Sequence, residues 1–238
     1  MTDFADIWSY LAQGPLLWLT ATLIAYLFGA WLQKLSGTKP WVNPVLIAVA
    51  LLAGVLVLTG TAYETYFEGA QFVHFMLGPA TVALAIPLYD NRALIRASAL
   101  PMLAALVTGS LVAILSALAI ARGLGVSGDV LISLAPKSAT APVALGVAEA
   151  IGGSPTLTAV LVILTGITGA VIAAPILNLL RIRDDRARGY ALGTASHGIG
   201  TARAFQESQT SGAFSGVAMG LNAILTALIA PVIIRLFI

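Results

Sequence analysis

Five stretches of this chain carry no charged residue and are each long enough to cross a bilayer: Pro15–Gln33, Val45–Ala62, Ala97–Ala121, Ala150–Leu180 and Ser208–Ile234. Runs of this length that cannot meet water are stable only as helices in lipid, where every backbone donor and acceptor finds a partner within its own segment. Only 9% of the residues are charged and 59% are hydrophobic, against roughly 25% charged in soluble domains, so the chain cannot cover a water-facing surface. The fold class expected is therefore all-α. The chain reads as a polytopic membrane protein of about seven or eight segments forming one integral membrane domain over residues 1–238. Full helices are expected over 15–33, 45–62, 97–121, 156–180 and 212–236. Asp3 and Asp6 stand where a signal peptide would carry basic residues, so the first apolar stretch is expected to remain as a span.

Three further segments, 69–89, 130–149 and 189–204, are apolar but interrupted. Pro79 and Pro87 punctuate the first, Pro136 and Pro142 the second, and Gly198 and Gly200 the third. Proline removes an amide donor from the helical ladder and glycine lets the backbone leave it, so these are expected to be broken or re-entrant helices. Lipid tolerates such breaks only where protein or a water-filled cavity surrounds them. A broken segment followed by a long uncharged helix recurs along the chain, which is the pattern of a secondary transporter built from internal inverted repeats with its site at the breaks. The plainer reading is that small residues such as Gly216 and Gly220 only let helices pack closely.

The distribution of basic residues orients the spans. With the N-terminus outside, Lys34 and Lys39 are cytoplasmic, Glu64 and Glu68 external, and Arg92 and Arg96 cytoplasmic again. Eight full crossings would then put the four arginines of Arg181–Arg188 outside. If 130–149 enters and leaves on one face, Arg181–Arg188 and Arg235 fall inside and only Arg122 outside. Seven crossings plus one re-entrant hairpin, with the C-terminus cytoplasmic, is the expectation, and eight crossings the alternative. The excess of 12 Lys and Arg over 10 Asp and Glu is a topology signal of this kind, and no nucleic-acid partner is expected.

Charge at membrane depth costs roughly 2.5–3.5 kcal/mol per residue, so the ionisable residues inside the breaks call for a reason. Lys137, Ser138 and Thr140 sit between Pro136 and Pro142. A cation, two hydroxyls and the positive end of a new half-helix suit a small carboxylate. The alternative is that Lys137 snorkels to the interface or pairs with Glu149. In SHGIGTARA, Ser196 and Thr201 supply hydroxyls, Arg203 a fixed charge with a carboxylate-shaped fork, and His197 a group that titrates near neutral pH. His197 is thus the proton-coupling candidate, while Arg203 has the alternative of pairing with Glu207 one turn on. Thr81 beside the Pro79 break and Asn222 are further binding candidates, whereas His74 and Asn178 read as packing residues. The spacing of Gly123, Gly125 and Gly128 matches a dinucleotide-binding fingerprint but follows a membrane helix, not a strand. No phosphate-binding loop, metalloprotease motif or nucleophile–base pair is legible, so no enzyme, cofactor or metal is expected, and the absence of cysteine removes disulfides and thiolate ligands.

GPATVALAIPLY at 78–89, PKSATAPVA at 136–144, IGGSPTLTA at 151–159, TGITGA at 165–170 and GTASHGIGTARA at 193–204 occur in this order. Through these motifs the chain resembles the LrgB/CidB family of bacterial membrane proteins, from about Trp41 to its end. It departs slightly, with Ala139 where a β-branched residue is common and Gly198 where Ala is usual. The resemblance implies a multi-pass protein of the bacterial inner membrane. It also implies one of two roles: carriage of small monocarboxylates of the glycolate, glycerate and pyruvate class, as in the related plastid transporter, or antiholin-like control of murein hydrolase export with a small LrgA/CidA-like partner. Cations and hydroxyls at paired breaks favour the carrier. A homodimer is the default assembly, being the commonest closed symmetry.

Overall fold

The computed structural model describes residues 14–39, 41–76, 79, 82–83 and 85–237. These residues are helical throughout apart from turns and caps, and they form two compact units, Met1–Ala83 and Leu84–Ile238. In the first unit, α1 (Pro15–Leu35), α2 (Pro44–Thr59) and α3 (Tyr63–Phe75) pack on one another. Asn43 caps α2 by accepting from the Val45 and Leu46 amides. Gly60, at φ +65°, ends that helix before the expected Ala62. Trp18, fully buried, meets Tyr66 edge-on at 5.8 Å and seats α3 against α1. Thr81, most of the surrounding break and the side chain of His74 lie outside the described residues. Pro79 is an exposed helical residue, and α4 (Ala85–Asp90) takes up the end of the same segment in the second unit.

The second unit continues through α5 (Arg92–Ala97), α6 (Ala99–Gly123), α7 (Gly128–Leu134), α8 (Ala141–Ala150), α9 (Pro155–Leu179), α10 (Asp185–Glu207) and α11 (Gln209–Phe237). Of these, α6, α9 and α11 are long and apolar enough to cross a membrane, as α1 is in the first unit. Between them the chain makes two hairpins.

In the first hairpin, 3₁₀-type bonds from the Ala135, Lys137 and Ala139 amides to the carbonyls three residues back carry the chain past the end of α7, and α8 starts afresh from an extended Thr140. After α8, which is about 15 Å long, the Ser154 amide donates to Ser133 Oγ at 2.8 Å. A chain that leaves α8 beside the last turn of α7 has reversed, so α7 and α8 form a re-entrant pair lying on α9.

The second hairpin hides inside α10. Ser196 and His197 leave helical geometry, His197 adopting φ +41° and ψ −134°, and the chain folds back. Arg188, near the start of α10, therefore pairs with Glu207 at its end, at 2.9 Å. Residues 189 and 193 lie against 211 and 215, whereas 198, 201 and 205 lie against 219, 215 and 212. The first arm is thus parallel to α11 and the second antiparallel.

Long-range contacts fix the directions of the spans. Ser110 bonds Asn222, and the Arg122 guanidinium donates to the Phe237 carbonyl, so α6 and α11 run parallel. The end of α9 meets the start of α10 through Asn178 and Arg188, and Ile151 just before α9 packs with Ile233 and Ile234 near the end of α11, so α9 runs the other way. One hairpin followed by one span is repeated in opposite orientation, α7–α8–α9 and then α10–α11.

This corrects the expected position of the C-terminus relative to the charges. Arg235 lies at the same end of the unit as Arg122 and opposite Arg181–Arg188, not alongside the latter. The charge count treated 189–204 as a crossing, but the reversal at His197 returns the chain to its starting end, so α11 sets out from beside Arg188.

Candidate functional site

Each hairpin tip is held by the long helix of the other repeat. Asn222, buried in the middle of α11, donates from Nδ2 to the Ser138 carbonyl at 3.0 Å and accepts at Oδ1 from Ser110 Oγ at 2.6 Å. Ser110 of α6 thus orients the amide whose Nδ2 holds the first tip in place. His197, at the second tip, donates from Nε2 to the Val162 carbonyl of α9 at 2.9 Å. A carbonyl only accepts, so Nε2 carries the hydrogen. Gly166 and Gly169 make this docking feasible, since a Cβ at Gly166 would lie 2.6 Å from the His197 ring and one at Gly169 would lie 1.7 Å from Ser196 Oγ.

Between the tips lies a cavity of about 390 Å³ lined by Lys137 and Ser138 of the first break, Ala195 and Ser196 of the second, Ala113 of α6, and Thr165, Thr168 and Gly169 of α9, with apolar residues around them. Lys137 donates to Ser138 Oγ at 3.4 Å. The ion pairs among the described residues are Arg186–Asp184 and Arg188–Glu207, so the cavity's cation has no carboxylate from these residues, and Glu149 is exposed rather than paired with it. Thr140 accepts no bond from the first turn of α8, leaving the positive end of that half-helix without a side-chain cap.

The sequence candidates thus separate. Lys137, Ser138 and Ser196 face the cavity. His197, Thr201 and Asn222 are buried behind it, Thr201 bonding the His197 carbonyl and Ser215 Oγ at 2.9 Å each. Arg203 stands on the return arm of the second hairpin, with Nη1 on Gln206 Oε1, and Glu207 is taken by Arg188. Pro136 is fully buried at the first break, Pro142 lies in the first turn of α8, and Gly200 passes so close to Leu192 that a Cβ would sit 2.6 Å from its carbonyl oxygen. Gly198 opens the return arm. Among the described residues no cluster of His, Asp and Glu is placed to hold a metal ion.

Thr165 and Thr168, which line the cavity, and Ser110, which bonds Asn222, were not among the sequence candidates. The signal was present in TGITGA, where two threonines and two glycines interleave at i, i+3 spacing in an otherwise apolar span. On a helix this puts a hydroxyl stripe beside a stripe without side chains. At the end of the unit that carries Arg181–Arg188, Asp184 caps α10 and pairs with Arg186, whose hydrogen bond to the carboxyl holds it down at about 2.

The LrgB-like family model matches residues 22–236. Among curated relatives, the uncharacterised protein YwbG of Bacillus subtilis (strain 168) is 41% identical over 213 residues, covering 90% of this chain and 94% of its own. The holin-like protein CidB of Staphylococcus aureus (strain Mu50) is 34% identical over 222 residues, covering 93% and 96%. CidB of Staphylococcus epidermidis (strain RP62A), also named a holin-like protein, is 32% identical over 221 residues, again covering 93% and 96%. No solved structure matches the chain.

Proposed function

The chain belongs to the LrgB-like family, and we propose that within it this multi-pass membrane protein works as a secondary carrier of small 2-hydroxy- and 2-oxo-monocarboxylates such as glycolate, glycerate and pyruvate. The observation that carries the reading is Lys137, a cation in a cavity between two helix breaks with no carboxylate from the described chain beside it. A membrane-embedded cation so placed is stabilised by an anion that comes and goes. Ser138, Thr165, Thr168 and Ser196 each offer one donor and two acceptors, enough to hold a carboxylate oxygen and a neighbouring hydroxyl or oxo group. Thr140 and Thr201 shape the two tips behind them, and Asn222 positions Ser138. Arg203, on the return arm, stays a candidate for a second contact with the anion. His197 Nε2 is engaged with Val162, which leaves Nδ1 to take up a proton during coupled transport.

Uptake of labelled glycolate, glycerate and pyruvate into proteoliposomes, with and without a pH gradient, tests the reading. Lys137→Ala is expected to cut uptake at least tenfold with the protein still folded. Uptake indifferent to that substitution removes the site, and uptake indifferent to both the gradient and His197→Gln removes proton coupling. By the excess of arginine the end carrying Arg92, Arg96 and Arg181–Arg188 is cytoplasmic, and the protein is assigned to the bacterial inner membrane as a homodimer.

The names of the staphylococcal relatives favour a second reading, an antiholin-like regulator of murein hydrolase export that acts through a small holin-like partner. That reading expects dye leakage or hydrolase export to change when the partner is co-expressed, and expects Lys137 and His197 to be replaceable without effect.

A further inference from the structure

A second cavity, of about 540 Å³, runs between the first half of α6 and the first arm of α10. Its lining begins with Ser98, Asp184 and Arg186 at the arginine-rich end and finishes at Ala113 and Ala195. Those two residues also line the Lys137 cavity. The cavity reached from the exposed Asp184–Arg186 pair and the cavity at the two helix breaks are therefore neighbours that share Ala113 and Ala195. We propose that the two cavities join at Ala113 and Ala195 into one passage by which the anion reaches Lys137, and that this passage is open to the arginine-rich end alone. The proposal rests on the reading of the Lys137 cavity as an anion site.

Three observations carry it. The groove exists because the facing residues are small: a Cβ at Gly109 would come within 3.2 Å of Thr194 Cγ2, so the helices stay close while alanines at 105, 113, 191 and 195 leave the space between them. Its polarity is graded, from the Asp184–Arg186 ion pair at the mouth, past Thr108 and Thr194, to Lys137 beyond the neck. That gradient fits a small anion better than a lipid tail, which would gain nothing from the ionic mouth. Toward the opposite end, beyond Ala113, the same helix buries Ile114 and Leu118 in a cluster with Leu131, Val147, Ile233 and Ile234. Water and ions do not pass a packed apolar plug of this kind.

The chain has no cysteine, so any introduced thiol is the sole one. Thr108→Cys and Ala191→Cys in the passage, Arg183→Cys and Leu124→Cys as markers of the two ends, and Leu118→Cys in the plug are each exposed to a charged, membrane-impermeant methanethiosulfonate in vesicles of either orientation. The expected result is that positions 108 and 191 react from the side that modifies position 183, and that position 118 reacts from neither. Reaction of 108 and 191 from the side that modifies position 124, or from neither side, overturns the proposal. Labelling reads the passage even if no carboxylate proves to be carried, so its failure is distinguishable from failure of the uptake assay. Where uptake is measurable, Ala113→Phe is expected to reduce it at least tenfold while position 191 still reacts, with Ala195→Leu as the second neck variant should the first not fold. Uptake unchanged by either folded variant counts against the passage.

Discussion

His197 holds a backbone conformation, φ +41° and ψ −134°, that a side chain with a Cβ rarely adopts. Such strain costs of order 1–3 kcal/mol and persists only where surrounding contacts over-determine it. Here the contacts are the Nε2 bond to Val162 and the fit of the ring over Gly166. His197→Ala loses the bond and keeps the strain, whereas His197→Gly loses the bond but relieves it. Thermal unfolding in detergent is therefore expected to rank wild type above His197→Gly and His197→Gly above His197→Ala, the two variants separated by about 1–2 kcal/mol. An alanine variant as stable as the glycine one would mean the tip relaxes. Lys137 is the contrasting case at this scale. It was legible from sequence because a charge in an apolar run is conspicuous whatever the fold. Thr165 and Thr168 were not, because threonine in a membrane helix usually bonds its own preceding turn, and only the approach of Ser196 over Gly169 makes their face a cavity wall.

Among the elements, the two hairpins are closed at their bases by different chemistry. Ser133 ties the first with neutral bonds, accepting from the Ser154 amide while its carbonyl accepts from Thr158 Oγ1. The second is tied by Arg188, which pairs with Glu207 at sites 11% and 14% exposed and also donates to Asn178 Oδ1 and the Ile182 carbonyl. Removing one member of a largely buried pair leaves the other charge uncompensated. Arg188→Ala is expected to destabilise the protein by about 2–3 kcal/mol, somewhat less than a fully buried pair. Glu207→Ala should cost less, since Arg188 keeps two other acceptors. A double-mutant cycle reads the coupling between them, and additive losses would show that the pair does not hold the hairpin shut. Sequence reading found both breaks, since Pro136, Pro142, Gly198 and Gly200 mark them locally. It took the second for a crossing because the partners that reverse it, Arg188 and Glu207, lie 19 residues apart.

For the molecule as a whole, two hairpins in place of one change the parity of the crossings in the second unit. The C-terminus stands at the end bearing Arg122, opposite Arg181–Arg188. With the arginine-rich end cytoplasmic, an alkaline phosphatase fused after Ile238 is expected to be active, and a fluorescent protein fused there that folds only in the cytoplasm is expected to be dark. A bright fusion would restore the cytoplasmic C-terminus. Sequence alone determined the solvent this chain lives in, its all-helical class, two places where helices break and the cations that need an explanation, because each depends on local hydropathy, local backbone chemistry or the cost of charge in lipid. Whether a broken helix goes on or turns back, which face of α9 meets the breaks, and the adjacency of two cavities at Ala113 and Ala195 were decided only in three dimensions. The reason is physical. A break frees the direction of the chain without choosing one, and the choice falls to bonds such as Asn222 to Ser138, His197 to Val162 and Arg188 to Glu207, whose partners no local pattern brings together.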